Sequence, residues 1–208
     1  GQGRKWNTLG KQLADKHRVT LVDLPHHGRS PQPETFDYLE VTAAVAELRT
    51  LGRKVDPDTI EQAENLVYEA WESDDPGRRV DCAAQALKIY PWCGDAYGLL
   101  AINAPANSDI QLHLWRMAVA AAEFALKAEL GGDVFDVHAG DFWGLFETRP
   151  YMRARAGLSA ALWNFGEREA ALAIDLEGLL LNPNDNQGIR YVAAGRLLTL
   201  GRDRELCE

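Results

Sequence analysis

Leu66-Val-Tyr-Glu-Ala-Trp71 and Leu158-Ser-Ala-Ala-Leu-Trp163 share one pattern, and twenty residues after each Trp stands a proline, in Ile89-Tyr-Pro91 and in Leu181-Asn-Pro183. Between each Trp and its Pro lie a turn and a second amphipathic stretch. Each segment therefore reads as a helix–turn–helix unit closed by proline. Such a unit cannot bury both faces alone and must stack on its neighbours. The expected fold is mainly α, a helical solenoid, whose usual work is to hold another molecule.

Outward from these units nearly every signal from Thr59 onward is helical. Thr59-x-x-Gln62 and Ser108-x-x-Gln111 are capping-box patterns, and Asp75-Pro76 supplies an N-cap with proline at the first helical position. Ile60, Ala63, Val67, Ala70 and Trp71 form one apolar stripe; Val80, Ala83, Ala84 and Leu87 form the next. A third helix opens at Ala96. A long fourth carries Ile110, Leu114, Met117, Ala118, Ala121 and Ala125 and stops at Gly131-Gly132. After an irregular insertion over 131–149, a fifth helix runs from Pro150 to about Gly166. Glu167–Leu181 and Gln187–Leu200 make the sixth and seventh.

The first fifty-four residues differ. They hold nine Lys/Arg against six Asp/Glu, whereas residues 55–208 hold thirteen against twenty-five, a change from +3 to −12. That shift places a domain boundary between residues 54 and 55. Trp6, Leu9 and Leu13 predict a short helix, Arg18-Val-Thr-Leu-Val-Asp-Leu24 a strand, and Val41, Val45 and Leu48 another helix. W-N-T-L-G-K-Q-L-A-D-K-H-R-V-T-L-V-D-L followed by H-G-R-S-P, within residues 3–49, resembles the early part of a small α/β-hydrolase esterase. That resemblance implies a helix–strand–helix arm lying before the nucleophile elbow of such a fold. Ser30 precedes that position and does not match the nucleophile. Gly157-Leu-Ser159-Ala-Ala161 imitates an elbow but sits inside a helical pattern with no strand before it. Ser159 thus reads as a helix-face residue, and His26 and His27 as loop residues without matched ligands. No catalytic residue is expected.

The helical part resembles tetratricopeptide repeats: Leu158, Ser159, Leu162, Ala171 and Pro183 fall on signature positions, as do Leu66, Val67, Ala70, Ala86 and Pro91. H-A-G-D-F-W-G-L-F-E-T-R-P-Y-M-R-A-R-A-G-L and L-N-P-N-D-N-Q-G-I-R-Y resemble the suppressor-of-tumorigenicity TPR family and its soluble bacterial relatives, over most of residues 59–206. The resemblance implies a TPR-like superhelix in which the first helix of each pair lines a concave groove. Its register puts Glu64, Tyr68, Trp71, Arg153, Trp163, Gln187 and Arg190 there. Arg supplies a donor fork for a carboxylate, and Trp and Tyr supply apolar anchors. The expected partner is a protein or peptide with an acidic or carboxylate group. The competing expectation for both Trp residues is packing between helices.

The aromatic run Phe142-Trp143-Gly-Leu-Phe146-Glu147-Thr148-Arg149-Pro150-Tyr151 reads first as a pin for the insertion, with a Glu147–Arg149 ion pair at its turn, and second as a binding loop. His138, Asp141 and Glu147 are the one cluster resembling metal ligands; a convincing third ligand is missing, and neither metal nor cofactor is expected.

A net charge of −9 argues against nonspecific nucleic-acid binding, which needs clustered cations. The longest apolar run, Met117–Ala122, is too short to span a bilayer, and no signal peptide is visible. Cys82, Cys93 and Cys207 are odd in number without CxxC spacing, as reduced cytosolic thiols would be. The expectation is a cytoplasmic, noncatalytic protein- or peptide-binding scaffold. An exposed apolar end after Gly201 would favour a homodimer. The alternatives are an esterase remnant, or a chimeric or truncated product without an evolved function; a start at Gly1 fits a fragment or processed product.

Overall fold

The computed structural model describes residues 56–207. The chain divides into two compact units, Gly1–Thr59 and Ile60–Glu208, and the description below concerns the second together with the helix that enters it. The expected arm, with its helix, its Arg18–Leu24 strand, His26, His27 and Ser30, lies outside the described residues.

Eight α-helices follow one another among the described residues: α1 Pro57–Glu72, α2 Pro76–Ile89, α3 Gly94–Asn103, α4 Asp109–Leu130, α5 Val134–Val137, α6 Arg149–Phe165, α7 Arg168–Leu181 and α8 Ile189–Thr199. Two 3-10 turns, Phe142–Gly144 and Asp203–Cys207, complete the described elements, among which there is no strand. Neighbours in sequence pack on one another from α2 to α4 and from α6 to α8, while α6 also lies against α3 and α4.

The caps explain most boundaries. Asp75 accepts the Gly77 N–H at 2.9 Å with Pro76 next to it, so α2 starts where the sequence places it. At α4 the Ser108 hydroxyl accepts the Gln111 N–H at 3.1 Å, and the Gln111 amide reaches back to the Asn107 N–H at 3.0 Å. The α1 boundary differs from expectation. The helix begins at Pro57, and the Thr59 N–H bonds the Asp56 carbonyl. An Asp-Pro pair has displaced the Thr59 cap because proline arrives with helical φ and no N–H to satisfy.

Two helices end alike. Gly166 and Gly201 adopt φ of 92° and 69°, and the following residues, Glu167 and Arg202, send their N–H groups back to Leu162 and Leu197, both at 2.9 Å. These are Schellman closures, which glycine permits at no steric cost.

The interfaces are built from small residues. Ala63, Ala70, Ala83, Ala86, Ala96, Ala101, Ala118 and Ala171 are fully buried. A Cβ on Gly94 would lie 2.6 Å from the Ala122 Cβ and 3.0 Å from the Ala118 carbonyl, so α3 and α4 touch nearly backbone to backbone. Trp115 of α4 fills the space that glycine leaves on α6: a Cβ on Gly157 would stand 2.2 Å from its ring, and one on Gly98 of α3 3.3 Å from it. The ring thus joins three helices. Leu112, Ala161, Leu162 and Ala171 bury around it, and a second cluster joins Ala122, Leu126, Val134, Phe142, Tyr151 and Met152.

That second cluster gives the 131–149 insertion its role. Phe142 is fully buried, with Phe135 at 5.3 Å and Tyr151 at 6.3 Å between ring centroids. A buried Phe of this kind contributes roughly 2–3 kcal/mol. Thr148, also fully buried, donates to the Phe142 and Leu145 carbonyls and closes the turn ahead of α6. The expected Glu147–Arg149 pair is replaced. The Arg149 guanidinium lies 4.2 Å from the Phe146 ring and 5.3 Å from the Trp143 ring, over two aromatic faces rather than beside a carboxylate.

Candidate functional site

Glu64, Tyr68 and Trp71 recur at i, i+4 and i+7, so a straight α1 carries them on one face. Tyr68 is 58% exposed and Trp71 39%, with ring centroids 5.5 Å apart edge to face. Arg153, in the second turn of α6, comes to the same face and lies 5.0 Å from the Trp71 ring. Its fork is already taken. Nε donates to Asp95 Oδ1 at 2.9 Å and Nη2 to Oδ2 at 2.5 Å, a bidentate pair from α6 to the start of α3. Two of its five N–H donors are thus spent within the chain, and the side chain stays partly open to solvent.

Carboxylates act on one another from α1 through Glu64 to Glu129 of α4. The Glu64 carboxyl is pushed above the usual carboxylate range, by partial burial first and then by Glu129 and Asp95; Arg153 counteracts only in part. Glu129 on α4 is raised too, by partial burial and by Glu147. The buried Tyr90 phenol is pushed up by burial, with Cys93, Glu129 and Glu64 adding to it. Burial pulls the Arg153 pKa down, but Asp95, with Tyr68 and Glu64 behind it, raises it overall and keeps the cation charged.

Trp163 stands elsewhere, ten residues and about 15 Å further along α6 than Arg153. It is the centre of a second constellation. The Arg196 guanidinium of α8 lies 4.9 Å from its ring, and that of Arg168 5.5 Å. Arg196 also donates to Asp175 Oδ2 of α7 at 2.5 Å, to the Ser159 carbonyl at 3.2 Å, and to the Ser159 hydroxyl. The Ser159 hydroxyl in turn bonds Asp175 Oδ1 at 2.5 Å. Ser159, Asp175 and Arg196 are all buried. Ser159 thus sits in mid-helix with its oxygen held by a cation and a carboxylate. That arrangement ties α6, α7 and α8 together and offers no approach for a substrate carbonyl.

Gln187 is tied back to α6 and Arg190 to its own turn. Gln187 donates to the Met152 carbonyl at 3.3 Å and edges a shallow hollow lined also by Arg155, Ile174, Gly178 and Ile189. Arg190 donates to the Pro183 carbonyl at 2.9 Å and pairs with Asp185 at 3.3 Å. Asp185, at a positive φ of 52°, accepts the Ile189 N–H at 2.6 Å and so caps α8. Asn182–Gln187 is the interhelix turn its composition announces. Of the seven residues placed in a groove from sequence, Glu64, Tyr68, Trp71 and Arg153 come together.

Asp95, Glu129, Asp175 and Arg196 escape a reading of the sequence alone. Asp175 and Arg196 carry one usable signal, since each is a charge set within an apolar run, Leu172-Ala-Ile-Asp-Leu176 and Gly195-Arg-Leu-Leu198. Asp95 and Glu129 look like ordinary surface acids. Among the described residues no three His, Cys, Asp or Glu groups meet in a way that holds a metal, His138, Asp141 and Glu147 included. Cys82 and Cys93 are buried free thiols, the latter pushed up to about 12 by burial. No described helix is long and apolar enough to cross a membrane. No family model, curated protein or solved structure matches the chain.

Proposed function

We propose that this chain is a noncatalytic binding module of TPR-like build, whose α1–α6 face holds a segment of another protein in the cytoplasm. The observation that carries the reading is the exposed pair Tyr68 and Trp71, set beside an Arg153 already fixed by Asp95. Aromatic rings held rigid at the surface bring apolar contact area at little entropic cost, and such residues dominate binding energies where partners meet. The helix-pair pattern, with matching Schellman ends on α6 and α8, supports the solenoid part of the reading.

The test is affinity capture with the full chain as bait, compared with Tyr68→Ala/Trp71→Ala, each captured protein being quantified. At least one partner is expected to weaken about tenfold or more, the cost of losing an aromatic anchor, with the denaturation midpoint nearly unchanged. A capture profile identical for both baits removes the face from the function.

A further inference from the structure

Three features of the α1–α6 face, taken together, describe the chemistry of what binds there. Its apolar part is the Tyr68–Trp71 pair, both rings open to solvent. Its cation, Arg153, is paired within the chain by the bidentate bond to Asp95 and lies over the Trp71 ring, 5.0 Å from its centroid. Glu64 shares the α1 stripe with the two rings, and Glu129 near the end of α4 lies close enough to act on Glu64; both are exposed. Partial burial first, and then the negative charges of Glu129 and Asp95, raise the Glu64 carboxyl, with Arg153 opposing them. An incoming cation relieves that repulsion, whereas an incoming anion adds to it.

We infer that this face takes a basic peptide segment, whose lysine or arginine side chains reach Glu64 and Glu129 while its apolar side chains lie on Tyr68 and Trp71. The inference rests on the binding reading above and goes beyond it in fixing the sign of the partner. A cation also gains from the aromatic faces, since Tyr and Trp rings attract ammonium and guanidinium groups. Such a complex forms fastest at low ionic strength, because the carboxylates steer a positive ligand and salt screens that attraction.

A peptide array graded from strongly basic to strongly acidic, each member containing an aromatic or leucine, tests the inference with the full chain as the labelled probe. Basic members are expected to bind and acidic ones not to, and added salt weakens binding. Glu64→Lys/Glu129→Lys is expected to cost the basic peptides about tenfold, with the helical circular dichroism unchanged; Glu64→Gln/Glu129→Gln gives a smaller loss in the same direction. Preference for acidic members, or indifference to both pairs of substitutions, overturns the inference while leaving a binding face in place. Binding of a free polyamine as tightly as the best peptide overturns the peptide assignment. If no member binds and Tyr68→Ala/Trp71→Ala leaves captured partners unaltered, it is the binding reading itself that fails.

Discussion

Trp71 and Trp163 occupy equivalent places in the two sequence units, and each has an arginine from a later helix over its ring. Arg153 lies 5.0 Å from Trp71 and Arg196 4.9 Å from Trp163. Each arginine is also paired with an aspartate at 2.5 Å, Asp95 in one case and Asp175 in the other. The two devices differ in exposure. The side chains of Arg196 and Asp175 are 8% and 2% exposed, those of Arg153 and Asp95 38% and 13%. The same three residue types thus make a sealed joint between α6, α7 and α8 and an open platform between α1, α3 and α6. A sealed charge pair is indispensable once folded, because neither partner can return to water alone. An open one leaves its aromatic neighbour free for other company.

The comparison breaks most readily at the sealed joint. Arg196→Ala leaves Asp175 buried without its cation and is expected to destabilise the fold by about 3–5 kcal/mol. Arg153→Ala, at the solvent edge, is expected to cost about 1 kcal/mol or less. Chemical denaturation of both variants checks the contrast, and equal losses would mean that exposure does not separate the two devices. Next in size is Gly157→Ala. Its added methyl meets the Trp115 ring and is expected to cost about 1–3 kcal/mol, whereas Gly195→Ala, with open space around it, is expected to stabilise α8 slightly, by up to about 1 kcal/mol.

The smallest effect sharpens the open platform. Glu64 and Glu129 carry folded pKa values raised above the ordinary carboxylate value. The folded state therefore holds their protons more tightly than the unfolded state does. Their ionisation disfavours folding as pH rises from the ordinary carboxylate value through the raised one, and acidification across that window returns the loss. Both side chains reach solvent, so Glu64→Gln is expected to raise stability at neutral pH by only about a few tenths of a kcal/mol. It should also flatten the dependence of the thermal midpoint on pH in that window. A steeper dependence in the variant would contradict the assignment.

The helices were legible in the sequence because their signals are local. Asp75-Pro76, Ser108-x-x-Gln111 and the glycines at 131, 166 and 201 act on the backbone within a turn of themselves, and each marks a boundary seen in the fold. The failure at Thr59 is also local, a second Asp-Pro pair overruling a capping box. The site was legible only in part. Periodicity puts Glu64, Tyr68 and Trp71 on one face, but nothing near Arg153 announces that its fork will close on Asp95, fifty-eight positions away. Gly157-Leu-Ser159 is the clearest example of a pattern whose reason is tertiary. The glycine makes room for Trp115, and the serine answers Asp175 and Arg196, so a likeness to an elbow arises from two unrelated packing demands.

The matched endings of α6 and α8 have a practical consequence for anyone who would rebuild this molecule. After Gly166 and Glu167 the backbone leaves one helix and sets off into α7, and after Gly201 and Arg202 it leaves α8 through hydrogen bonds of the same kind and length. A copy of the α7 sequence grafted behind Arg202 would start its course in the direction that the first copy takes behind Glu167.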